Sequence, residues 1–357
     1  MKNRFYVKPL HPISLLITLL VFSFVLTDGS GFPESAMAGA ESVNFDKASP
    51  QIKKTIEVQN RHSMTLMAIP EVVGNATGID KVGNTSVLVF VKSHGVAEKI
   101  PLDLEGVPVK VDVTGEFFAF KKSLFATKTK INPTTKFTRP VPIGISTGNE
   151  GECSSGTIGA RVTDGINVYA LSNNHVYALE NSAPIGSKVL QPGLYDTSCI
   201  FYSNNVIGTL YAFVPIDFSG GNNTVDAAIA LTSKALLQKF TPSNGYGIPK
   251  SKIVTASPGQ EVQKYGRTTS LTDGMIAGIN ATINVSYKHG IATFVNQIVI
   301  SSEKPFVKPG DSGSLLVTNS GANPVGLLFA GNSSGTYSVA NRIEDVLSSF
   351  GITIDGN

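Results

Sequence analysis

Residues 309–318 read Pro-Gly-Asp-Ser-Gly-Ser-Leu-Leu-Val-Thr, a polar turn that runs straight into a short apolar strand. Glycine lets the backbone turn where a Cβ would forbid it, so Ser312 can present its hydroxyl away from the main chain. The amides of Gly310 and Ser312 can then converge on one point. Two N–H groups so placed suit a carbonyl oxygen whose charge develops only during attack, the arrangement of an oxyanion hole. An ordinary Gly-Asp-Ser-Gly hairpin is the alternative, and four residues alone do not separate the two.

Outward from this turn the chain reads as β-structure. From about Phe137, short runs rich in Val, Ile, Thr and Tyr recur between Gly, Asn, Asp and Pro clusters, at 157–162, 168–171, 206–213, 225–231, 275–285, 294–300, 314–317 and 325–330. Helical periodicity is nearly absent until residues 341–350. Many short strands at this spacing predict an antiparallel sandwich or barrel. The stretch is too long for one small barrel, so two packed barrels and a C-terminal helix are expected.

Two further signals share that background. Tyr169-Ala170-Leu171-Ser172-Asn173-Asn174-His175-Val176 is a strand that runs into a polar turn and delivers a histidine there. A lone histidine at a strand end is ordinarily structural. The others are His11 in the leader, His62 on an N-terminal helix, and His94 and His289 beside glycines in polar stretches. Asn223-Thr224-Val225-Asp226-Ala227-Ala228-Ile229-Ala230 sets Asp226 among apolar and small neighbours on a strand. A carboxylate there is costly to bury unless a partner meets it. An imidazole N–H is such a partner: the pairing fixes the ring's tautomer and stabilises the imidazolium formed when it accepts a proton. The alternative is an aspartate capping its own turn. The conjunction is the stronger signal, because the order His175, Asp226, Ser312 is that of chymotrypsin-type enzymes and differs from subtilisin and the α/β-hydrolases.

These residues resemble the trypsin/chymotrypsin-like serine peptidase family, and more closely its secreted bacterial, α-lytic-type members. The resemblance covers residues 140–351. It takes in Val325-Gly326-Leu327-Leu328-Phe329-Ala330-Gly331, Gly266-Arg267-Thr268-Thr269 with Gly274-Met275-Ile276, and the closing helix. It implies an all-β catalytic domain of two packed antiparallel six-stranded β-barrels with a C-terminal helix, the site lying in the cleft between them. His175 and Asp226 would come from the first barrel and Ser312 from the second. The implied chemistry is acyl transfer on a protein or peptide substrate, without cofactor or metal. Ser312 is then the nucleophile, His175 the general base and later acid, Asp226 its orienting partner, and the amides of Gly310 and Ser312 the oxyanion hole. Phe306, Phe329, Ala330 and Gly331 are implied as the specificity pocket. A phenyl ring at Phe306 cannot pair with a cationic side chain, so small or apolar substrate side chains are expected there.

The sequence departs from the family at three points. Val176 stands where the animal enzymes place a cysteine, the turn reads Gly-Asp-Ser-Gly-Ser, and no Ile-Val-Gly-Gly activation sequence appears near residues 156–160. Asp311 therefore needs a cation other than a newly cut N-terminus. The resemblance implies that Arg267 supplies it, as a buried bidentate pair.

The leading residues read as an address. Lys2, Arg4 and Lys8 precede an apolar run at 13–26 and the small-residue site Ala36-Met37-Ala38, the order of a secretory signal peptide over residues 1–38. An N-terminal anchor is the rival reading, disfavoured because a fourteen-residue run spans only ~21 Å as a helix against a ~30 Å hydrocarbon core. The mature chain is expected to be secreted (extracellular, or periplasmic or at the cell surface if the leader is retained), with no stable membrane insertion. In an oxidising compartment Cys153 and Cys199 are expected to form a disulfide, contributing up to roughly 4 kcal/mol; two buried thiols are the alternative.

Residues 39–135 read as a small α+β N-terminal domain. Ser49-Pro50 starts a helix with Ile52, Ile56, Met64 and Met67 on one face, ending before Pro70. Strands are expected at 72–79, 85–91 and 107–113. Residues 117–132, with Lys121, Lys122, Lys128, Lys130 and then Lys136, read as an exposed connector. The unit is either an intramolecular pro-segment cut in that connector or a permanent accessory domain, leaving 136–357 as the barrel domain.

Composition narrows the alternatives. Of 357 residues 41% are hydrophobic and 15% charged, enough apolar material for a core and against wholesale disorder. The net charge of +3, without a concentrated basic footprint, sets nucleic-acid binding aside. Two cysteines and five dispersed histidines offer no zinc scaffold. Two other classes remain open: a catalytically silent binding or adhesion module on the same fold, and an esterase using the same three residues.

Overall fold

The computed structural model describes residues 49–80, 83–119 and 131–357. The expected signal peptide and the lysines at 121, 122, 128 and 130 lie outside the described residues.

The first barrel is a ring of antiparallel strands. Gly156–Thr157 pairs with Ser146–Asn149, and Ala160–Thr163 pairs with Val168–Ser172. Ala228–Thr232, Val206–Phe213 and Lys188–Leu190 continue the order, and the last returns to Ser146–Asn149. Closure comes from the run 156–163, which is gripped on both sides. Ile158 N–H donates to the Ile145 carbonyl at 3.0 Å, and Gly159 N–H to the Leu171 carbonyl at 2.8 Å. A closed ring leaves no strand edge open to another chain. Ile145, Ile158, Ala170, Val189, Ile207, Leu210 and Ala230 fill its interior.

The second barrel closes in the same way. Its ring runs Glu261–Gly266, Ser270–Tyr287, Gly290–Ser301, Tyr337–Arg342, Pro324–Asn332 and Leu315–Thr318, which pairs back to Glu261–Gly266. Ile276, Ile298, Ile300, Leu316, Val325 and Leu328 fill it. A layer of Val162, Leu171, Ile229, Leu315, Val317 and Leu327 joins the two barrels to the C-terminal helix Ile343–Phe350. That helix buries Ile343, Val346 and Leu347, one apolar stripe at helical spacing, and stops at Gly351 in the left-handed region. The all-β, double-barrel architecture expected from the sequence is present.

Ser270–Tyr287 has 18 residues and Gly290–Ser301 has 12, more than the barrel needs. Their far halves leave it as a hairpin, and there Ser270–Tyr287 takes Val72–Ile79 as a further antiparallel partner, Gly74 opposite Ile283 and Gly78 opposite Gly278. Thr85–Val91 and Val107–Val113 follow outward, so the N-terminal strands extend the second barrel's sheet. The three strands occupy the residues expected of them.

Helix Pro50–Met67 begins at Ser49, whose hydroxyl accepts the Ile52 N–H at 3.3 Å. It buries Ile52, Thr55, Val58, Gln59 and Leu66, whereas Met64, expected on the inner face, is 76% exposed. The buried stripe is partly polar, which the apolar pattern misses. Gln59 donates to Asn75 Oδ1 at 2.8 Å and to the Asn280 carbonyl at 2.9 Å, and accepts from the Thr77 hydroxyl at 2.8 Å.

The expected connector begins differently. Phe117–Phe118 is a strand, parallel to Ser270–Tyr287 and antiparallel to Pro324–Asn332, and Phe117 is fully buried with its ring 6.1 Å from Phe90. Burial of its aromatic surface accounts for the strand at the start of this segment. Among the described residues no helix is long and apolar enough to cross a membrane.

Candidate active site

His175 sits on a single helical turn, Asn174–Tyr177, that follows directly on the strand Val168–Ser172 of the first barrel. Asp226 lies just ahead of the strand Ala228–Thr232, the hydrogen-bonded neighbour of Val168–Ser172. Adjacent strands thus bring the two residues together although the chain separates them widely. His175 Nδ1 lies 2.6 Å from Asp226 Oδ2, and the His175 backbone N–H donates to Oδ1 at 3.2 Å. Both side chains are completely buried. His175 Nε2 is also buried and has no hydrogen-bond partner among the described residues.

The main chain of Asp226 is clamped from two sides. Asn173 of the first barrel donates to its carbonyl at 2.7 Å, and its N–H donates to Asn341 of the second barrel at 3.1 Å. A third side chain reaches the carboxylate: the Tyr287 hydroxyl donates to Oδ2 at 2.8 Å. The Tyr287 ring stands edge-on to His175, centroids 5.9 Å apart. Burial, and then the charge of Asp226, push the Tyr287 phenol well above its ordinary value. Sequence reading missed Tyr287, which belongs to the hairpin of the other barrel.

Ser312 comes from the second barrel and is tied to the first through its main chain. Its carbonyl accepts the Thr157 N–H at 2.8 Å, and the Thr157 carbonyl accepts the Ser172 hydroxyl at 2.8 Å, three residues before His175. The Ser312 hydroxyl donates to the Phe329 carbonyl at 3.4 Å and makes no hydrogen bond to His175 Nε2.

The two glycines of the turn are dictated by space. Gly310 has φ +98°, and a Cβ there would lie 2.6 Å from both Arg267 Nη1 and Thr268 Oγ1. At Gly313, φ +92°, a Cβ would lie 2.2 Å from the Ser172 hydroxyl. The peptide carbonyls of the turn are tied down as well. Pro309 O accepts from Thr268 Oγ1 at 2.7 Å, and Asp311 O accepts from Ser314 N–H at 3.0 Å. In a trans peptide the N–H points away from its carbonyl, so these anchors fix the directions of the Gly310 and Ser312 amides.

Asp311 differs from expectation: it makes no ion pair with Arg267. Its carboxylate accepts from the backbone N–H of Thr268 (2.7 Å), Thr269 (3.1 Å) and Lys308 (2.9 Å) and from the Thr269 hydroxyl (2.7 Å), and its cation is Lys264 at 3.6 Å. Lys264 is fully buried, and burial lowers its pKa while Asp311 opposes that shift. Arg267 is engaged elsewhere. Its guanidinium binds Asp196 through Nε at 2.8 Å and through Nη2, over the ring of Tyr195 at 5.6 Å. Asp196 lies on the single turn Leu194–Thr197, next to the Cys153–Cys199 disulfide, whose Cα atoms are 5.1 Å apart. The planar fork of Arg267 thus ties the second barrel to the disulfide loop of the first.

The expected pocket residues divide. Phe306 is 1% exposed and packs in the second-barrel core with Ile276, Ile300 and Leu316, so it does not line a substrate pocket. Phe329 and Ala330 are also buried, with Phe294 and Phe117 beside them. Gly331 and Asn332 carry the backbone edge that pairs with Phe118 and Phe117. Among the described residues no group of three or more His, Cys, Asp or Glu could hold a metal ion.

No family model matches the chain. Over 99 residues, 27% of the chain, it is 33% identical to streptogrisin-A of Streptomyces griseus, and the match spans 31% of that protein's length. Among solved structures it is similar to a glutamic-acid-specific serine protease (20% identity, 60% of this chain and all of that one, TM-score 0.44). Thermobifida fusca protease A is similar to the same degree (20% identity, 61% of this chain and all of that one, TM-score 0.44). With its streptogrisin-A match and two closed six-stranded barrels, the chain resembles the trypsin/chymotrypsin-like serine peptidases of bacteria.

Proposed function

We propose that the chain is a serine-type endopeptidase that hydrolyses peptide bonds through an acyl-enzyme. The observation that carries this reading is the buried His175–Asp226 pair, with one ring nitrogen bound to the carboxylate and the other without a hydrogen-bond partner among the described residues. In the proposed reaction His175 Nε2 takes the Ser312 proton as the oxygen attacks the peptide carbonyl. The amides of Gly310 and Ser312 hold the oxyanion. The imidazolium, stabilised by Asp226, then protonates the departing amine. Water repeats the sequence on the ester, regenerating Ser312 and releasing the acid.

Residues 39–135 are proposed as an intramolecular pro-segment of an exported protein, with 1–38 as its signal peptide and 136–357 as the catalytic domain. The pairing of Phe117–Phe118 with Gly331 and Asn332 supports this, because an extended segment added to that edge occupies the position a bound peptide would take. Cleavage in the lysine-rich connector would leave that edge to a substrate.

A silent binding module is the second reading, favoured by one observation: the Ser312 hydroxyl is bonded to Phe329 and not to His175. Assaying the secreted protein on matched peptide and ester substrates, beside a Ser312→Ala variant, separates the readings. Peptide hydrolysis that disappears in the variant supports the peptidase. Ester turnover alone indicates an esterase, and no turnover of either indicates the silent module.

A further inference from the structure

A buried carboxylate must have its charge met by donors, and among the described residues Asp226 has three. Two come from His175, through its backbone N–H and Nδ1. The third is the Tyr287 hydroxyl, which shares Oδ2 with the imidazole. Tyr287 reaches the pair from the other barrel, at the end of the 18-residue strand Ser270–Tyr287. Its ring is boxed in by Phe218 at 5.6 Å, Phe294 at 6.1 Å and His175 at 5.9 Å.

The residues on either side of Tyr287 are fastened. Before it, while residues 39–135 remain attached, Val285 and Ser286 pair with Phe117 and Phe118, and Ala119 N–H donates to the Ser286 carbonyl at 3.1 Å. After it, the His289 N–H and Nδ1 both meet Glu180 Oε2, at 3.0 and 2.6 Å. Glu180 is itself buried, in the loop that follows the His175 turn. Lys288 pairs more loosely with Glu152 at 3.6 Å. The hairpin tip therefore spans from the second barrel to the loop behind His175, with the Tyr287 hydroxyl aimed at Asp226.

We propose that Tyr287 is a positioning residue for the His175–Asp226 pair: its O–H fixes the carboxylate against His175 Nδ1 and so holds the imidazole with Nε2 directed at the reacting serine. This deepens the peptidase reading and rests on it. Sharing the charge of Oδ2 with a neutral donor also weakens its hold on the imidazolium. Removing that donor leaves a less constrained carboxylate that binds a proton on His175 more strongly. The other charged or titratable groups facing Tyr287 are Glu180 and His289, which Tyr287→Phe leaves in place.

The test compares the full chain, in whatever form it is secreted, with Tyr287→Phe, which keeps the ring and its three aromatic neighbours. Peptidase kinetics are expected to show kcat lowered about tenfold at nearly unchanged KM. The acid limb of the kcat/KM profile is expected to move to higher pH. The low-field proton resonance of the His175 Nδ1–H···Asp226 hydrogen bond is expected to shift in proton NMR, a signal a merely packing role would leave in place. Unchanged kcat, acid limb and resonance together, in a protein whose parent is active, would overturn the positioning role. If the parent shows no Ser312-dependent turnover, the peptidase reading fails instead. In that case the resonance alone still decides whether Tyr287 acts on the pair.

Discussion

Phe118 lies antiparallel to Gly331, two residues beyond the carbonyl that accepts the Ser312 hydroxyl. The chain thus supplies its own extended segment to the edge beside the candidate nucleophile. If residues 39–135 are removed by the protein's own activity, Ser312→Ala should accumulate with that segment attached, while the parent protein releases it. Intact-mass measurement of both secreted proteins checks this. Identical processing of the two would assign the cut to another protease, and an uncut parent would make the segment a permanent domain.

Arg267 holds Asp196 in a pair that is almost fully buried on both sides. Arg267→Ala leaves that carboxylate without its cation and should cost about 3–5 kcal/mol, read from urea denaturation. Arg267→Lys should recover only part of the loss, since an ammonium cannot make the two-pronged contact. A loss under about 0.5 kcal/mol would contradict the role given to the pair, that being the range of an ordinary surface change.

At Gly313 both the left-handed backbone and the space are occupied. A Cβ would meet the Ser172 hydroxyl at 2.2 Å and the Thr157 carbonyl at 2.3 Å. Gly313→Ala should destabilise the fold by about 1–3 kcal/mol. It should also lower peptidase activity by more than the stability change explains, because Thr157 anchors the Ser312 carbonyl. Activity and stability both at parental levels would show that the turn tolerates a side chain.

Buried tyrosines set the alkaline limit. Burial, and secondarily Asp112, push Tyr337 up to about 12. Burial also raises Tyr177, Tyr246 and Tyr287. Above pH ~10 these residues keep protons in the folded chain that the unfolded chain has lost, so stability falls as pH rises. Lys264, lowered by burial, works in the opposite direction, but its contribution is complete once pH passes 10.5, the value the unfolded chain returns to. The denaturation midpoint should therefore drop between pH 10 and 12, with tyrosinate absorbance appearing only as the chain unfolds. A midpoint flat over that range would contradict the burial argument.

The double barrel was legible because its strands are short, Val- and Ile-rich, and punctuated by turn residues, a period that survives even where the exact ends do not. Ser146–Asn149 and Lys188–Leu190 escaped, being too short and too polar to stand out. The candidate triad was legible because each member sits where a turn meets a strand. Its supporting residues were not. Lys264 looks like any basic residue in Glu-Val-Gln-Lys-Tyr-Gly, although the burial of the surrounding strand makes it the cation of Asp311. Asp196 carries no motif, and only the folded disulfide loop brings it to Arg267. Apolar spacing points Met64 inward, whereas the buried face carries a polar network around Gln59 and Met64 is exposed. The family resemblance implies Phe306 in the pocket, whereas the second-barrel core takes it.

Ser312 is proposed as an activated nucleophile. Treating the secreted protein with a fluorophosphonate and mapping the adduct by peptide mass spectrometry tests it most directly. One adduct on the peptide containing Ser312, absent from His175→Ala and Ser312→Ala, is the predicted result. An unlabelled Ser312 in protein freed of residues 39–135, or equal labelling in the His175→Ala variant, would contradict it.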